Sequence, residues 1–385
     1  MLAPQTSLGK MEFFYVKIHY PASTILLPLS ILLLFCIAEA SNGTIPAVIA
    51  FGDSILDTGN NNNLKTLTKC NVPPYGRNFP GGIATGRCSD GKIFSDLVAS
   101  GVGVKDLLPA YLDPNLQDND LPTGVSFASA GSGLDPLTAG IQSILSITDQ
   151  FHLFEEYTSK LKRVVGEEKA EAIIFNSLFV ISSGNNDLAI TYFILHLKSL
   201  QYDVSSYTSL LVSRATKFVK DLYGLGARRI AFLVTIPIGC VPFFRTVEGG
   251  LYRACGEDSN QAANMFNYKL SSELSVLNSS LANATIFYLD VYNPLLALIQ
   301  NPQGSVLLLF LKEDLSKHFS GFEETTSGCC GTGEIEVTAL FCNQLNPFTC
   351  PDTSKYLFWD SAHPTERAYR ILVSQILQEY GKNFS

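Results

Sequence analysis

Pro46-Ala-Val-Ile-Ala-Phe-Gly-Asp-Ser54-Ile-Leu-Asp-Thr-Gly-Asn60-Asn-Asn-Asn63 runs from an apolar, β-prone segment straight into small and polar residues. Val48, Ile49 and Phe51 suit a strand buried on both faces, and Gly52 permits the close turn that sets Ser54 just past the strand's carboxyl end. In an open α/β sheet, ligands bind at that edge. A serine hydroxyl alone is a weak nucleophile, so the stretch predicts further parts elsewhere: a base, a carboxylate to orient it, and donors for an oxyanion.

Working outward, the same pattern recurs. Val125-Ser-Phe127-Ala-Ser-Ala-Gly131 reads as a short strand entering a glycine turn, and Leu178-Phe-Val-Ile-Ser-Ser-Gly184-Asn-Asn-Asp187 as a further strand ending in polar cargo. Ile230 to Thr235 and Thr285 to Asp290 read as two more strands. Between them lie helical patterns over Thr148 to Val165, from Tyr207 to Gly224, and over Ser259 to Leu277; another begins at Pro364 or Thr365. Alternating strands and helices predict an α/β fold, a parallel sheet covered on both sides. Pro73-Pro74-Tyr-Gly76 reads as a loop, and the Cys- and Gly-rich part from Ser327 to Pro351 as a disulfide-pinned excursion.

Trp359-Asp360-Ser-Ala-His363-Pro364 supplies the second half of the chemistry. An aspartate can orient the imidazole and stabilise its protonated form while the other ring nitrogen faces Ser54. His152, His196 and His318 fall in helical patterns, which leaves His363 as the best base. The backbone N–H groups of Ser54 and Gly131 and the side-chain amide of Asn186 are the expected oxyanion donors, each at a different strand end. Two near-misses compete. Gly124-Val-Ser126-Phe-Ala128 approximates a nucleophile elbow but ends in alanine, and Gly86-Arg-Cys-Ser-Asp-Gly91-Lys92-Ile93 nearly spells a phosphate-binding loop but has isoleucine at the magnesium-binding position. Asp53 and Asp57 are expected to hold the Ser54 turn by local hydrogen bonds.

These blocks, in this order, resemble the SGNH hydrolases: Gly52-Asp-Ser54-Ile is a GDSL signature with isoleucine for leucine, followed by Gly131, Gly184-x-Asn186-Asp187 and Asp360-x-x-His363. Together with Pro74-Tyr-Gly76, Gly86 to Gly91 and Tyr356-Leu-Phe-Trp-Asp360, they make the chain similar to the plant GDSL esterase/lipases, and most like their extracellular lipase-like (EXL) group. The resemblance implies a flavodoxin-like three-layer sandwich with a mostly parallel central sheet. It also implies Ser54 as nucleophile, His363 as base, Asp360 as its partner, and Ser54, Gly131 and Asn186 as the oxyanion hole. The expected activity is hydrolysis of lipid or cell-wall-type acyl esters through an acyl-serine, with no cofactor and no metal. An acyltransferase using the same site, or a catalytically idle binding protein, are the alternatives.

The 385 residues, 46% hydrophobic and 16% charged, suffice for a large core, and the formal charge of −8 does not favour nucleic acid. Lys10 and Lys17, an uncharged stretch from Tyr20 to Ala38, and Ala38-Glu-Ala40 lay out a secretory signal over 1–40, with a signal anchor as the alternative; Met11 offers a shorter start. A single hydrolase domain over 41–385 is expected, extracellular in the cell wall or apoplast, without a membrane span. Of nine cysteines, one lies in the signal; the remaining eight point to disulfides rather than zinc, with pairing left open. Asn42, Asn278, Asn283 and Asn383 begin glycosylation sequons.

Overall fold

The computed structural model describes residues 45–303, 321–331, 336, 342–345 and 348–384. The expected signal over 1–40, with Asn42 and His318, lies outside them.

Four parallel strands form the centre: β1 (Val48–Gly52), β2 (Leu178–Ser182), β3 (Arg229–Leu233) and β4 (Thr285–Leu289), ordered β1-β2-β3-β4. β1 and β2 are buried along their whole length, as their runs of β-branched and aromatic residues require, whereas β4 exposes Thr285 at an edge. The register sets Gly52 beside Ser182 and Ser182 beside Leu233, so the strand ends are level and the polar residues after them emerge at one edge. Gly52 has φ +121°, and a Cβ there would lie 1.7 Å from the Ser182 carbonyl oxygen; only glycine fits.

The 125–129 segment differs from the expected strand. It lies beside β1, through Ala50 N to Val125 O (3.1 Å), Phe127 N to Ala50 O (2.8 Å) and Ser129 N to Gly52 O (2.9 Å), but forms only isolated bridges at Ser126. Ser126 is bridged to Ala50 on one side and Ala110 on the other, and its hydroxyl bonds the Leu56 carbonyl. Taken as a fifth strand, the segment gives the 2-1-3-4-5 order of flavodoxin-like sheets.

Helices flank the sheet in contacting pairs: Phe94–Gly101 with Glu366–Phe384, Ile147–Val165 with Glu167–Asn176, and Val204–Gly224 with Glu257–Ser280. Ser146 and Asp149 cap the helix from Ile147 reciprocally. The helix expected from Tyr207 starts at Val204, because the Asp203 carboxylate accepts the Ser206 N–H. Phe154 on the Ile147 helix packs edge-on to Phe51 and Phe179, joining helix to sheet.

A second, two-stranded sheet, β5 (Glu324–Gly328) with β6 (Tyr356–Phe358), carries the C-terminal turn. Disulfides Cys329–Cys350 and Cys330–Cys342 pin its surroundings, Cys70–Cys88 packs in the same buried cluster, and Cys240–Cys255 closes a loop at the main core. The eight cysteines are therefore disulfide-bonded, not zinc ligands. Among the described residues, no helix is long and apolar enough to cross a membrane.

Candidate active site

After β1 the chain turns tightly, with the Leu56 and Asp57 N–H groups both donating to Asp53 O at 3.1 Å, and Ser54 sits in that turn, nearly buried. Asp53 holds more than the turn. Its carboxylate accepts the Ile55 N–H (3.1 Å), the Ser182 hydroxyl (3.0 Å) and the Asn185 amide (3.0 Å), tying β1 to β2. Asp57 accepts the N–H groups of Gly59, Asn60 and Ala130 at 2.8 Å each, linking the Ser54 turn to the 129–131 segment. Burial pushes both carboxyls up, Asp57 to about 6, against those hydrogen bonds.

The turn after β6 brings the imidazole to Ser54. Trp359 N donates to His363 O (2.7 Å) and closes the turn, while Cys330 N to Trp359 O (2.7 Å) and Phe243 N to Ser361 O (2.9 Å) hold it from outside. His363 Nε2 lies 2.8 Å from Ser54 Oγ, and Nδ1 lies 2.9 and 2.8 Å from the two Asp360 oxygens. Asp360 also accepts the Ala362 and His363 N–H groups (2.9 and 2.8 Å) and the Tyr75 hydroxyl (2.6 Å). Burial opposes charge on both partners, but their mutual attraction and hydrogen bonds prevail. Asp360 is held below the ordinary carboxylate range, and His363 is raised above the ordinary imidazole value with a further contribution from Asp53.

Ser54, Gly131, Asn186 and His363 line one cavity of about 360 Å³. The Ser54 and Gly131 N–H groups donate to no protein acceptor among the described residues. Asn186 Nδ2 gives one hydrogen to Ser132 O (2.9 Å) and retains a second. Gly131 has φ +87°, and Gln142 Nε2 donates to its carbonyl at 2.9 Å. The cavity continues along an apolar wall that includes Ile190, Ile194, Ile236, Ile238, Val241 and Phe244.

The competing motifs resolve otherwise. Ser126 is sealed from solvent with its hydroxyl committed to Leu56 O (2.7 Å), and Arg87, inside the near phosphate-binding loop, forms a buried bidentate pair with Asp96 (2.7 and 2.8 Å). Asp149-Gln-Phe-His152 repeats the Asp-x-x-His spacing, but Asp149 caps its helix and exposed His152 faces Glu155. His196 lies in an exposed turn after the Asp187–Ile194 π-helix rather than within a helix.

Two residues at the site were missed in the sequence. Tyr75 falls in a loop, and its reach to Asp360 has no local sign. Gln150 clamps Gly52 from both sides, accepting its N–H (2.7 Å) and donating to its carbonyl (2.9 Å). A signal existed for Gln150, since it interrupts the buried stripe of Ile147, Phe154, Tyr157 and Leu161.

Ser54, delivered by the parallel sheet, meets His363 and Asp360 from the turn after β6, an arrangement of the serine-hydrolase class. The chain belongs to the GDSL-like lipase/acylhydrolase family, whose model matches residues 48–376. It is 48% identical over 340 residues to the GDSL esterase/lipase EXL3 of Arabidopsis thaliana, covering 88% of this chain and 89% of that one. It is also 48% identical over 368 residues to the GDSL esterase/lipase At1g23500 of Arabidopsis thaliana, covering 94% and 98% of the two chains. The chain is a carboxylic ester hydrolase.

Proposed function

We propose that this protein is a secreted serine esterase/lipase that cleaves esters of aliphatic acids through an acyl-Ser54 intermediate. The observation that carries the reading is the continuous hydrogen-bond chain from Ser54 Oγ through His363 to Asp360. His363 Nε2 takes the Ser54 proton as Oγ bonds to the ester carbonyl carbon; it then gives that proton to the alkoxide as the carbon–oxygen bond to the alcohol breaks. A water follows the same path in reverse and releases the acid. Asp360 holds the imidazole and stabilises its charge. The Ser54 and Gly131 N–H groups and the remaining Asn186 hydrogen receive the oxyanion; loss of one such donor costs about 10²- to 10³-fold in kcat.

The apolar cavity wall supports an aliphatic acyl chain over the acetyl groups of a cell-wall polysaccharide. The four disulfides support passage through an oxidising route, with 1–40 as the cleaved signal and 41–385 as one hydrolase domain in the extracellular space. Asn278, Asn283 and Asn383 are exposed, as glycan acceptors must be.

The test compares Ser54→Ala with Ser126→Ala in secreted, folded protein, using a fluorophosphonate label and a chain-length series of p-nitrophenyl esters. Ser54→Ala should abolish labelling and lower turnover by several orders of magnitude, while Ser126→Ala keeps both. Near-parent turnover in folded Ser54→Ala would refute the nucleophile. A preference for acetate throughout the series would refute the substrate class.

A further inference from the structure

Asp360 receives most of its hydrogen bonds from its own turn, through Ala362 and His363. Tyr75 reaches it from 285 residues away in the chain, at 2.6 Å. The tyrosine is fully buried and its ring stands edge-on to Trp359, with centroids 5.9 Å apart and planes at 69°. Its backbone is fixed by Tyr75 N to Val72 O (3.2 Å) and Gly76 N to Ser89 O (3.0 Å), inside the loop that the Cys70–Cys88 disulfide closes. A phenylalanine would fill the same space beside Trp359, so packing alone does not account for the hydroxyl. A buried hydroxyl is costly without a partner, and this one is aimed at the carboxylate.

We propose that Tyr75 is a positioning residue of the catalytic site: its hydroxyl anchors the Asp360 carboxylate against His363 Nδ1 from outside the turn and draws part of the carboxylate's charge away from the imidazole. The inference rests on the proposed triad. It concerns how strongly Asp360 acts on His363, not which group attacks the ester.

The direction of the effect follows from the groups around the imidazole. Asp360 and Asp53 face His363; Tyr75 faces Asp360; and Tyr369, on the terminal helix, lies in the field of Asp53, Asp360 and Asp90. Removing the Tyr75 hydroxyl leaves each of these charges in place but concentrates that of Asp360. The imidazolium then becomes more stable, and less of the neutral base survives at mildly acidic pH. Losing the anchor also loosens the turn, which lowers the rate where His363 is already neutral.

The experiment follows the His363 titration by NMR in protein with ¹⁵N-labelled histidine, assigning its signal by its loss in His363→Gln. In Tyr75→Phe the midpoint should rise by about half a unit to one unit, of the order produced by a hydrogen bond to a buried carboxylate. The acid limb of fluorophosphonate labelling should move with it, and the plateau labelling rate should fall about 10-fold, the scale of an outer partner that orients an active-site group. An unchanged or lowered midpoint in folded Tyr75→Phe overturns the proposal. Should that variant fail to fold, 3-fluorotyrosine at position 75, a stronger donor of nearly the same shape, should lower the midpoint, and a rise or no change overturns it equally. The same titration in a Ser54→Ala background separates the two ideas: ester turnover persisting there removes the triad reading, whereas the Tyr75 effect on His363 is read without any turnover.

Discussion

Two fully buried carboxylates stand near the carboxyl edge of the main sheet in nearly identical cages. Asp360 accepts two backbone N–H groups, from Ala362 and His363, and one hydroxyl, from Tyr75. Asp187 likewise accepts two backbone N–H groups, from Leu134 (2.7 Å) and Asp135 (2.8 Å), and one hydroxyl, from Thr138 (2.7 Å). Burial pushes both up, yet Asp360 ends below its ordinary value while Asp187 is pushed up to about 6. What differs is the neighbour. An imidazole sits against Asp360, whereas Asp187 has a second carboxylate, Asp135, beside it, whose own charge is engaged by Lys198 and Arg214. The cage fixes where a carboxylate lies; burial raises both, and the adjacent imidazole is what holds Asp360, and not Asp187, below its ordinary value.

The sharpest way to break this comparison is to remove each charge without changing shape. Asp360→Asn should lower kcat by about 10³- to 10⁴-fold in folded protein, because a neutral amide neither stabilises the imidazolium nor selects its tautomer. Asp187→Asn should lose less than about 10-fold in kcat but about 1–3 kcal/mol in chemical denaturation, since a charge-accepting brace becomes an imperfect one. Equal catalytic losses in the two variants would erase the distinction.

Titration sharpens the same contrast. On the proposed mechanism the base His363 must be neutral to act, and its value is raised, so turnover should fall as pH drops through a midpoint above about 6.5. A flat rate between about pH 5 and 8 would contradict this. Asp187 has the opposite linkage to a salt-bridged carboxylate. Its folded value of about 6 exceeds the unfolded one, so its contribution is full at low pH and is lost as pH rises through 6. Between about pH 5 and 7 the parent should lose roughly 1 kcal/mol of stability relative to Asp187→Asn, which does not titrate. A zero or reversed slope difference, from denaturation at both pH values, would place the proton elsewhere.

Much of this arrangement is legible in the residues. Apolar runs ending in Ser54, Gly131 and Asn186 announce strand ends with cargo, and the parallel register that levels Gly52 with Ser182 turns them into one cavity lining. Asp360-x-x-His363 is legible as a pair because its partners are local. By contrast, Tyr75 and Asp360 are joined by a single contact across 285 residues, which no periodicity encodes. Spacing can also mislead, as Asp149 and His152 share it but spend their side chains on a helix cap and a surface pair. The cysteines declared disulfides but not partners, because pairing depends on how β5 and β6 bring Cys329 and Cys330 beside the 342–350 segment.

The four disulfides close loops of only 18, 15, 21 and 12 residues, whereas Ser54 and His363 lie 309 residues apart. Cross-links of that reach restrict the unfolded chain locally, by about 3 kcal/mol each on the loop-entropy estimate, and leave the long-range encounter to packing alone. During synthesis Ser54 emerges long before His363, which lies just ahead of the helix Glu366–Phe384 that packs on Phe94–Gly101. Each disulfide joins residues of one short segment, but Ser54 meets His363 only when segments far apart in the chain have packed. On the proposed triad, a chain that has made only its disulfides has not yet brought Ser54 and His363 together; that meeting waits on packing between segments 309 residues apart.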